Sequence, residues 1–310
     1  MSAAAAERLI MNSLSHQCSD GPTLQQEGYR WWIGHSSLQR LESRYKTVLL
    51  GLSARILPGP HIEWAAGGRV DRHLIWPDLL NARDLGGLGS ASGQETAWRR
   101  VVRADNLNKL ASTGVAALVS YGVHTVIDLR DPRELEKFPN PLAAAPPKGV
   151  VFINVPLISE GEWEAIKDPG RMAEGYVLTA RLSHANIARA MLAVADASPG
   201  GVVVHCHAGK ERTGIVAALL LSLTGIPDET VAEDWVASDA FLQPLYEEWL
   251  ANETDPTIRA KRAEGFVTHA EHILDVLTHI RGSYGSLEEY LLVGALTSDQ
   301  IDRARRRLLG

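Results

Sequence analysis

One run limits what this chain can fold into more than any other: Val202–Gly214, reading VVVHCHAGKERTG. It opens as a short apolar β-rich run, Val202 to His205, and turns tightly through Gly209. It then enters a long apolar helix, Thr213 to Leu223, stopped by Gly225 and Pro227. A strand, a tight loop and a helix in that order form a trap for a small anion. The backbone N–H groups of such a loop point inward, and the helix N-terminus adds about half a positive charge. Gly209 lets the backbone pass close to a ligand. Arg212, six positions after Cys206, supplies a planar two-pronged donor that fits two oxygens of a phosphate. The same field favours the thiolate of Cys206, which stands at the strand's end. A thiolate beneath a bound phosphate is a nucleophile in line for phosphoryl transfer.

Two rival readings of the run fail on residue identity. A nucleotide-binding P-loop needs Gly at position 204 and Ser or Thr at 211, where this chain has Val204 and Glu211. A metal site at His205, Cys206 and His207 fails because neighbours on an extended strand face opposite ways, and no second ligand cluster has zinc-like spacing. No metal and no cofactor is expected.

The rest of the chain from about residue 71 alternates strand and helix. Strands are predicted at Thr125–Leu129, Val150–Val155 and Val202–His205. Helices are predicted at Gly114–Tyr121, stopped by Gly122, and at Leu182–Ala195. Further helices are predicted at Asp228–Ser238 and Thr268–Ile280, with two short ones in Ser286–Leu309. Continuous apolar strands separated by helices predict an α/β fold with a mainly parallel central sheet flanked by helices.

Composition narrows the function classes. The 310 residues carry a net charge of −6, which lacks the strongly basic balance of a nucleic-acid-binding protein. Two cysteines, Cys18 and Cys206, exclude a disulfide framework. The most apolar run, Ile215–Leu223, is about half the length a bilayer requires, so no integral membrane segment is expected. The N-terminus lacks a basic region before its apolar stretch and makes a poor secretory signal, so a cytoplasmic address is expected. Residues 1–70 carry a net charge of +2 against −8 for the remainder, and they read as an N-terminal appendage of unknown role. Helical spacing from Leu38 to Ile56 ends there at Pro58, Gly59 and Pro60, and Trp31 and Trp32 are candidates for a surface contact or for burial on the main body. Residues 71–310 form the second predicted unit.

The run HCHAGKERTG resembles the signature loop of the cysteine-dependent protein tyrosine and dual-specificity phosphatases. Its GK variant resembles the atypical bacterial and fungal tyrosine phosphatase branch. Four other stretches are similar to that branch: Asn81–Gly87 (NARDLGG), Arg103–Leu107 (RADNL, with Ala104 where Ser is usual), Val126–Arg130 (VIDLR) and Tyr284–Leu291 (YGSLEEYL). The likeness covers about residues 72–310. It implies a parallel-centred α/β phosphatase domain acting on phosphotyrosine proteins, with phosphoserine/threonine or phosphoinositides as further substrates of some members.

The resemblance implies Cys206 as nucleophile, Arg212 as phosphate clamp and Thr213 as the hydroxyl that stabilises the departing sulfur. The amides of His207, Ala208, Gly209, Lys210 and their neighbours would hold the phosphate oxygens, with His205 fixing the loop. Glu211, where the branch has Asp, is the first candidate for the acid that protonates the leaving group, with Asp128 and Asp168 as alternatives. Trp76-Pro77-Asp78 lies before the NARDLGG element and reads as a coincidental match to the mobile WPD loop of wider relatives. Lys210 and His207 either add positive charge for a polyanionic substrate, or Lys210 offsets Glu211 or pairs with Asp128. Arg83, Asp84 and Arg130 read as braces between loops, and Gly86 and Gly87 as a turn needing positive φ. Arg303, Arg305, Arg306 and Arg307 read as a solvated face at a helix C-terminus. Two alternatives to the enzyme stay open: a phosphate-binding module without turnover, and a sulfurtransferase, which the Lys-x-Arg-Thr continuation disfavours.

Overall fold

A computed structural model describes residues 72–166 and 172–310. The expected N-terminal appendage, with its Leu38–Ile56 helix, Trp31 and Trp32, lies outside the described residues, as does Asp168. Among the described residues five strands form one sheet: β1 (Arg83–Asp84), β2 (Val101–Ala104), β3 (Val123–Asp128), β4 (Val151–Asn154) and β5 (Gly201–His205). Their spatial order is β1-β2-β5-β3-β4. Only the β1–β2 pair is antiparallel; β5 runs parallel to β2 and β3, with Ala104 and Asp128 both in register with His205. The predicted mainly parallel α/β sheet is therefore present, with the signature run leaving its central strand. A parallel strand flanked on both sides opens its C-terminal end into a crevice, the usual place for a ligand in such sheets.

The strands alternate as a sheet covered on both faces requires. On β5, Val202 and Val204 point into the larger core cluster, while Val203 points into the smaller one. The larger face is covered by α6 (His184–Ala195), α7 (Glu211–Leu223), α11 (Ala270–Tyr284), α12 (Leu287–Val293) and α13 (Ser298–Leu309). The smaller face takes α1 (Ser112–Tyr121), which ends on Gly122 in the left-handed conformation, and the loop carrying Leu107 and Leu110. Eleven of the thirteen residues of α7 are buried, from Arg212 through Leu223, because the helix lies between the sheet and an outer helical layer. A helix apolar on every side is the kind that such a position demands.

The remaining helices are α2 (Pro132–Lys137), α3 (Pro141–Ala144), α4 (Glu160–Ile166), α5 (Met172–Leu182), α8 (Asp228–Val236), α9 (Ser238–Ala251) and α10 (Pro256–Phe266). The predicted Asp228–Ser238 helix stops at Val236, and a second helix starts at Ser238. The signature helix begins at Glu211 rather than Thr213, so Glu211 is its first residue. Of the two glycines read as a turn, only Gly87 has positive φ (+76°). Gly86 is required by space, since a Cβ there would lie 2.6 Å from the Trp98 Cα.

Gly209 is constrained twice. Its φ is +65°, and a Cβ would lie 2.3 Å from the Ala104 carbonyl oxygen of β2. Gly209→Ala is therefore expected to push the loop off β2 at a cost of about 1–3 kcal/mol. Urea denaturation checks the loss, and an unchanged unfolding midpoint would refute the close approach.

Candidate active site

The loop from Cys206 to Lys210 is held by its carbonyl groups. The His207 carbonyl accepts from the Asn106 N–H at 2.9 Å. Asn81 Nδ2 donates to the carbonyls of Ala208 (3.0 Å) and Gly209 (3.2 Å). Arg103 donates to the carbonyls of Gly209 (2.7 Å) and Lys210 (3.2 Å). Four consecutive carbonyls are thus bonded away from the loop's hollow, the polarity that leaves the amides free for an anion.

These donors are themselves held. The Asp105 carboxylate accepts from the N–H groups of Leu80 and Asn81, which places Asn81 under the loop. Burial pushes the Asp105 carboxyl above its ordinary value, against those N–H bonds. Asn81 Oδ1 accepts from Arg83. Arg83 and Arg103 both reach Asp234 of α8, at 3.0 and 2.6 Å, with Arg72 on the same carboxylate at 2.9 Å. Burial works against the charge of Asp234, but Arg83, Arg103 and Arg72 outweigh it and hold the carboxyl well below its usual range. Burial, with the charge of Arg103 beside it, lowers the Arg83 guanidinium to about 9. Asp84 holds a different junction, accepting from Gly86 N, Arg99 N and Tyr121 Oη. Arg130 forks onto Asp128 and donates to the Phe138 carbonyl at 2.9 Å. Arg83, Asp84 and Arg130 are all braces in this sense.

Below the loop, His205 Nε2 lies 3.2 Å from Asp128 Oδ2, with Asn140 Nδ2 at 3.1 Å. Burial favours protonated Asp128, but His205 and Arg130 override it and keep the carboxylate below its usual range. Asp128 is fully buried, engaged and absent from the cavity lining, so it has no proton to give to a ligand there. Asp78 of the Trp-Pro-Asp string accepts from the Ala111 N–H at the start of α1, and Trp76 packs edge-on against Tyr121. That string is a structural corner.

Cys206 is buried at the end of β5, and the residues that follow it, His207, Ala208 and Lys210 to Arg212, line a cavity of about 450 Å³. Arg212 lines the cavity and makes a two-pronged ion pair with Glu134 of α2, one bond measuring 2.8 Å. Burial opposes its charge, but Glu134, Cys206 and Glu211 raise the Arg212 guanidinium above its usual value. Glu134 escaped the sequence reading. Its one local signal is Asp131-Pro-Arg-Glu134, a capping box in which Asp131 and Glu134 satisfy each other's N–H groups. Glu211 also lines the cavity, and its carboxyl makes no hydrogen bond or ion pair with any described residue. Thr213 Oγ1 is buried without a hydrogen-bond partner among the described residues.

The positive charge expected of Lys210 and His207 takes another form. Lys210 is buried. Its ammonium donates to the Phe266 carbonyl at 2.7 Å and pairs with Asp239 at 3.2 Å, so it pairs with neither Glu211 nor Asp128. It ties the loop to α9 and α10. Burial lowers the His207 imidazole, which stacks on Trp249 with ring centres 6.0 Å apart. That burial disfavours its charged form. The cavity walls are aromatic: Trp163, Tyr176, Tyr246, Trp249 and Phe266. None of these was picked from the sequence, because they come from separate helices with no shared motif.

Residues 74–310 match the sequence model of the tyrosine phosphatase family. The chain is similar to a tyrosine-protein phosphatase of Nostoc commune, 27% identical over 215 residues, which cover 67% of this chain and 73% of that protein. It is also similar to the triple specificity protein phosphatase PtpB of Mycobacterium tuberculosis, 26% identical over 277 residues, with 76% of this chain and 98% of that protein covered. A putative tyrosine-protein phosphatase of Cupriavidus necator is 27% identical over 186 residues, covering 56% of this chain and 66% of that protein.

Glu134 takes two of the five N–H donors of Arg212 and leaves the others for a ligand. Glu134→Gln keeps the shape and removes the charge that fixes the guanidinium. A fall of about tenfold in kcat/KM for an aryl phosphate is expected, which is about 1.4 kcal/mol. Steady-state kinetics check it, and unchanged kinetics would detach Glu134 from the site.

Proposed function

The chain belongs to the tyrosine phosphatase family, and from that premise we propose that it hydrolyses phosphotyrosine esters through a phosphocysteine intermediate at Cys206. The observation that carries this reading is the loop polarity: the carbonyls of residues 207–210 are bonded outward, beside a buried cysteine and a fixed guanidinium. Such preorganised donors stabilise the charge that gathers on the phosphoryl oxygens in the transition state.

The Cys206 thiolate attacks phosphorus while Arg212 and the inward amides hold the three non-bridging oxygens. The S–P bond forms and the P–O bond to the tyrosine ring breaks. The leaving oxygen takes a proton from Glu211, the cavity carboxyl that makes no hydrogen bond or ion pair with a described residue. Water then attacks the phosphocysteine and gives a proton to Glu211; the S–P electron pair returns to sulfur. The orphaned Thr213 hydroxyl supports a role at the departing sulfur, since a buried unpaired polar group costs about 1–3 kcal/mol until it finds a partner.

The cavity favours a flat monophosphate over a polyphosphorylated head group. Its lysine and arginine, Lys210 and Arg212, are already paired with Asp239 and Glu134, and burial disfavours the charged form of His207. A second phosphate would meet aromatic walls, on which a tyrosine ring can stack.

Orthophosphate release in EDTA tests the proposal, with a phosphotyrosine peptide beside a phosphoinositide panel. Release from the peptide should exceed that from the panel and vanish in Cys206→Ser. Binding of the peptide without release by the wild type would point instead to a phosphate-binding module. In the same assay Glu211→Gln should lower kcat by about a hundredfold and flatten the pH–rate profile. Unchanged turnover would remove Glu211 from the acid role.

A further inference from the structure

A second cluster of arginines lies at the other end of the sheet. Arg100 precedes β2 at the end of the strand opposite Ala104, whose carbonyl abuts Gly209. Four strand residues separate the two ends by at least about 13 Å. There Arg100 lines an open hollow of about 280 Å³ with Arg303, Arg306 and Arg307 of α13.

The arginines of α13 were read from the sequence as a helix-end face that complements the dipole. That accounts for part of them. Arg305 pairs with Glu288 and Asp302, and Arg303 with Asp196 and Asp299. The remainder is not accounted for. Arg307 donates to the carbonyls of Val194, Ala197, Ser198 and Gly200 and to no carboxylate. Arg306 reaches one carboxylate, Asp299, at 4.0 Å. Arg100 comes from a different element, so no helix dipole explains it, and its guanidinium makes no hydrogen bond or ion pair with any described residue. Burial, and the charge of Arg100, lower the Arg307 guanidinium from its usual value. The hollow, lined also by Ala195 and Gly310, thus holds two guanidiniums in mutual repulsion, one of them clamped by four carbonyls, and neither makes an ion pair with a described residue.

We propose that the hollow formed by Arg100, Arg306 and Arg307 binds a phosphate-bearing anion, as a site separate from the catalytic cavity. Planar guanidiniums from two elements match the several oxygens of a phosphate group. The clamped Arg307 loses little freedom on binding, which favours affinity. The anion's two sources are a soluble polyphosphorylated molecule and a phospholipid head group at a membrane surface.

Calorimetric titration of the full chain carrying Cys206→Ser with inositol hexakisphosphate, at physiological salt, tests this. The proposal holds if a site remains when Arg212→Ala is added and that site weakens by about tenfold or more in Arg100→Gln with Arg306→Gln. Both replaced side chains leave the core untouched, and p-nitrophenyl phosphate turnover in the otherwise native chain should be unchanged. Loss of all binding with Arg212→Ala would overturn the proposal, unless the chain has unfolded. The Cys206→Ser chain without Arg212→Ala guards against that case: there, one site fewer in the Arg100/Arg306 variant supports the proposal and an equal number overturns it. Vesicles containing a phosphatidylinositol bisphosphate separate the sources. Co-sedimentation lost in the same variant assigns a lipid head group, and co-sedimentation unaffected beside weakened hexakisphosphate binding assigns a soluble ligand.

Discussion

A loop that turns its amides toward an anion must turn its carbonyls toward the protein, and buried carbonyls need donors that water cannot supply. Asn106, Asn81 and Arg103 supply them, and Arg103 alone of the three carries a charge. Arg103 and Arg83 are nearly inaccessible guanidiniums in each other's field, an arrangement that burial alone would forbid. Asp234 makes it possible by accepting from both, and from Arg72, through a carboxylate that is itself buried. Removing one partner from such a buried set costs roughly 3–5 kcal/mol, because the remaining charges lose their compensation. The active-site loop therefore depends on a carboxylate of α8, which lines no part of the cavity. The same geometry explains why the NARDLGG and RADNL stretches accompany the signature loop: Asn81, Arg83 and Arg103 are its supports.

The cavity repeats this logic one layer further out. Glu134 takes two of the Arg212 donors and holds the plane of the fork. Glu134 is placed in turn by its capping box with Asp131, so six residues of α2, none of them buried, set the orientation of the Arg212 guanidinium. Lys210 is fixed in the same way, but toward α9 and α10. Both cations nearest the nucleophile are thus oriented before a ligand arrives, which is the condition for electrostatic stabilisation without reorganisation.

The parts of this architecture that were legible in the sequence are those with local signals. Valine runs marked β3, β4 and β5, Gly122 marked the end of α1, and a contiguous motif placed Cys206, Arg212 and Glu211 together. Strand β2 carried no such mark, since VVRA is short and holds a charged residue. It is a strand because Arg103 finds Asp234, a partner 131 positions away. The pairing of Glu134 with Arg212, 78 positions apart, was equally invisible. Lys210 was misjudged for a related reason: its charge was counted, but its partners Asp239 and Phe266 lie on helices whose packing no periodicity reveals. Asp234 itself sits in DETVAEDWV, an amphipathic helix in which one more acidic residue draws no attention.

Charge placement then separates the two ends of the molecule. In the cavity Lys210 and Arg212 each have an anion of the protein's own, Asp239 and Glu134, and the walls are the rings of Trp163, Tyr176, Tyr246, Trp249 and Phe266. Stacking and apolar burial discriminate by shape more than by charge, which suits a flat aryl ester. At the far end of β2 the lining differs, with Arg307 held by carbonyls, Arg100 without an ion pair among the described residues, and no aromatic wall. A polyanion is attracted to that end by charges the protein has not neutralised. Among the described residues the hollow at the far end of β2 and the aromatic cavity thus differ in what they offer a ligand, guanidinium donors in one and ring faces in the other.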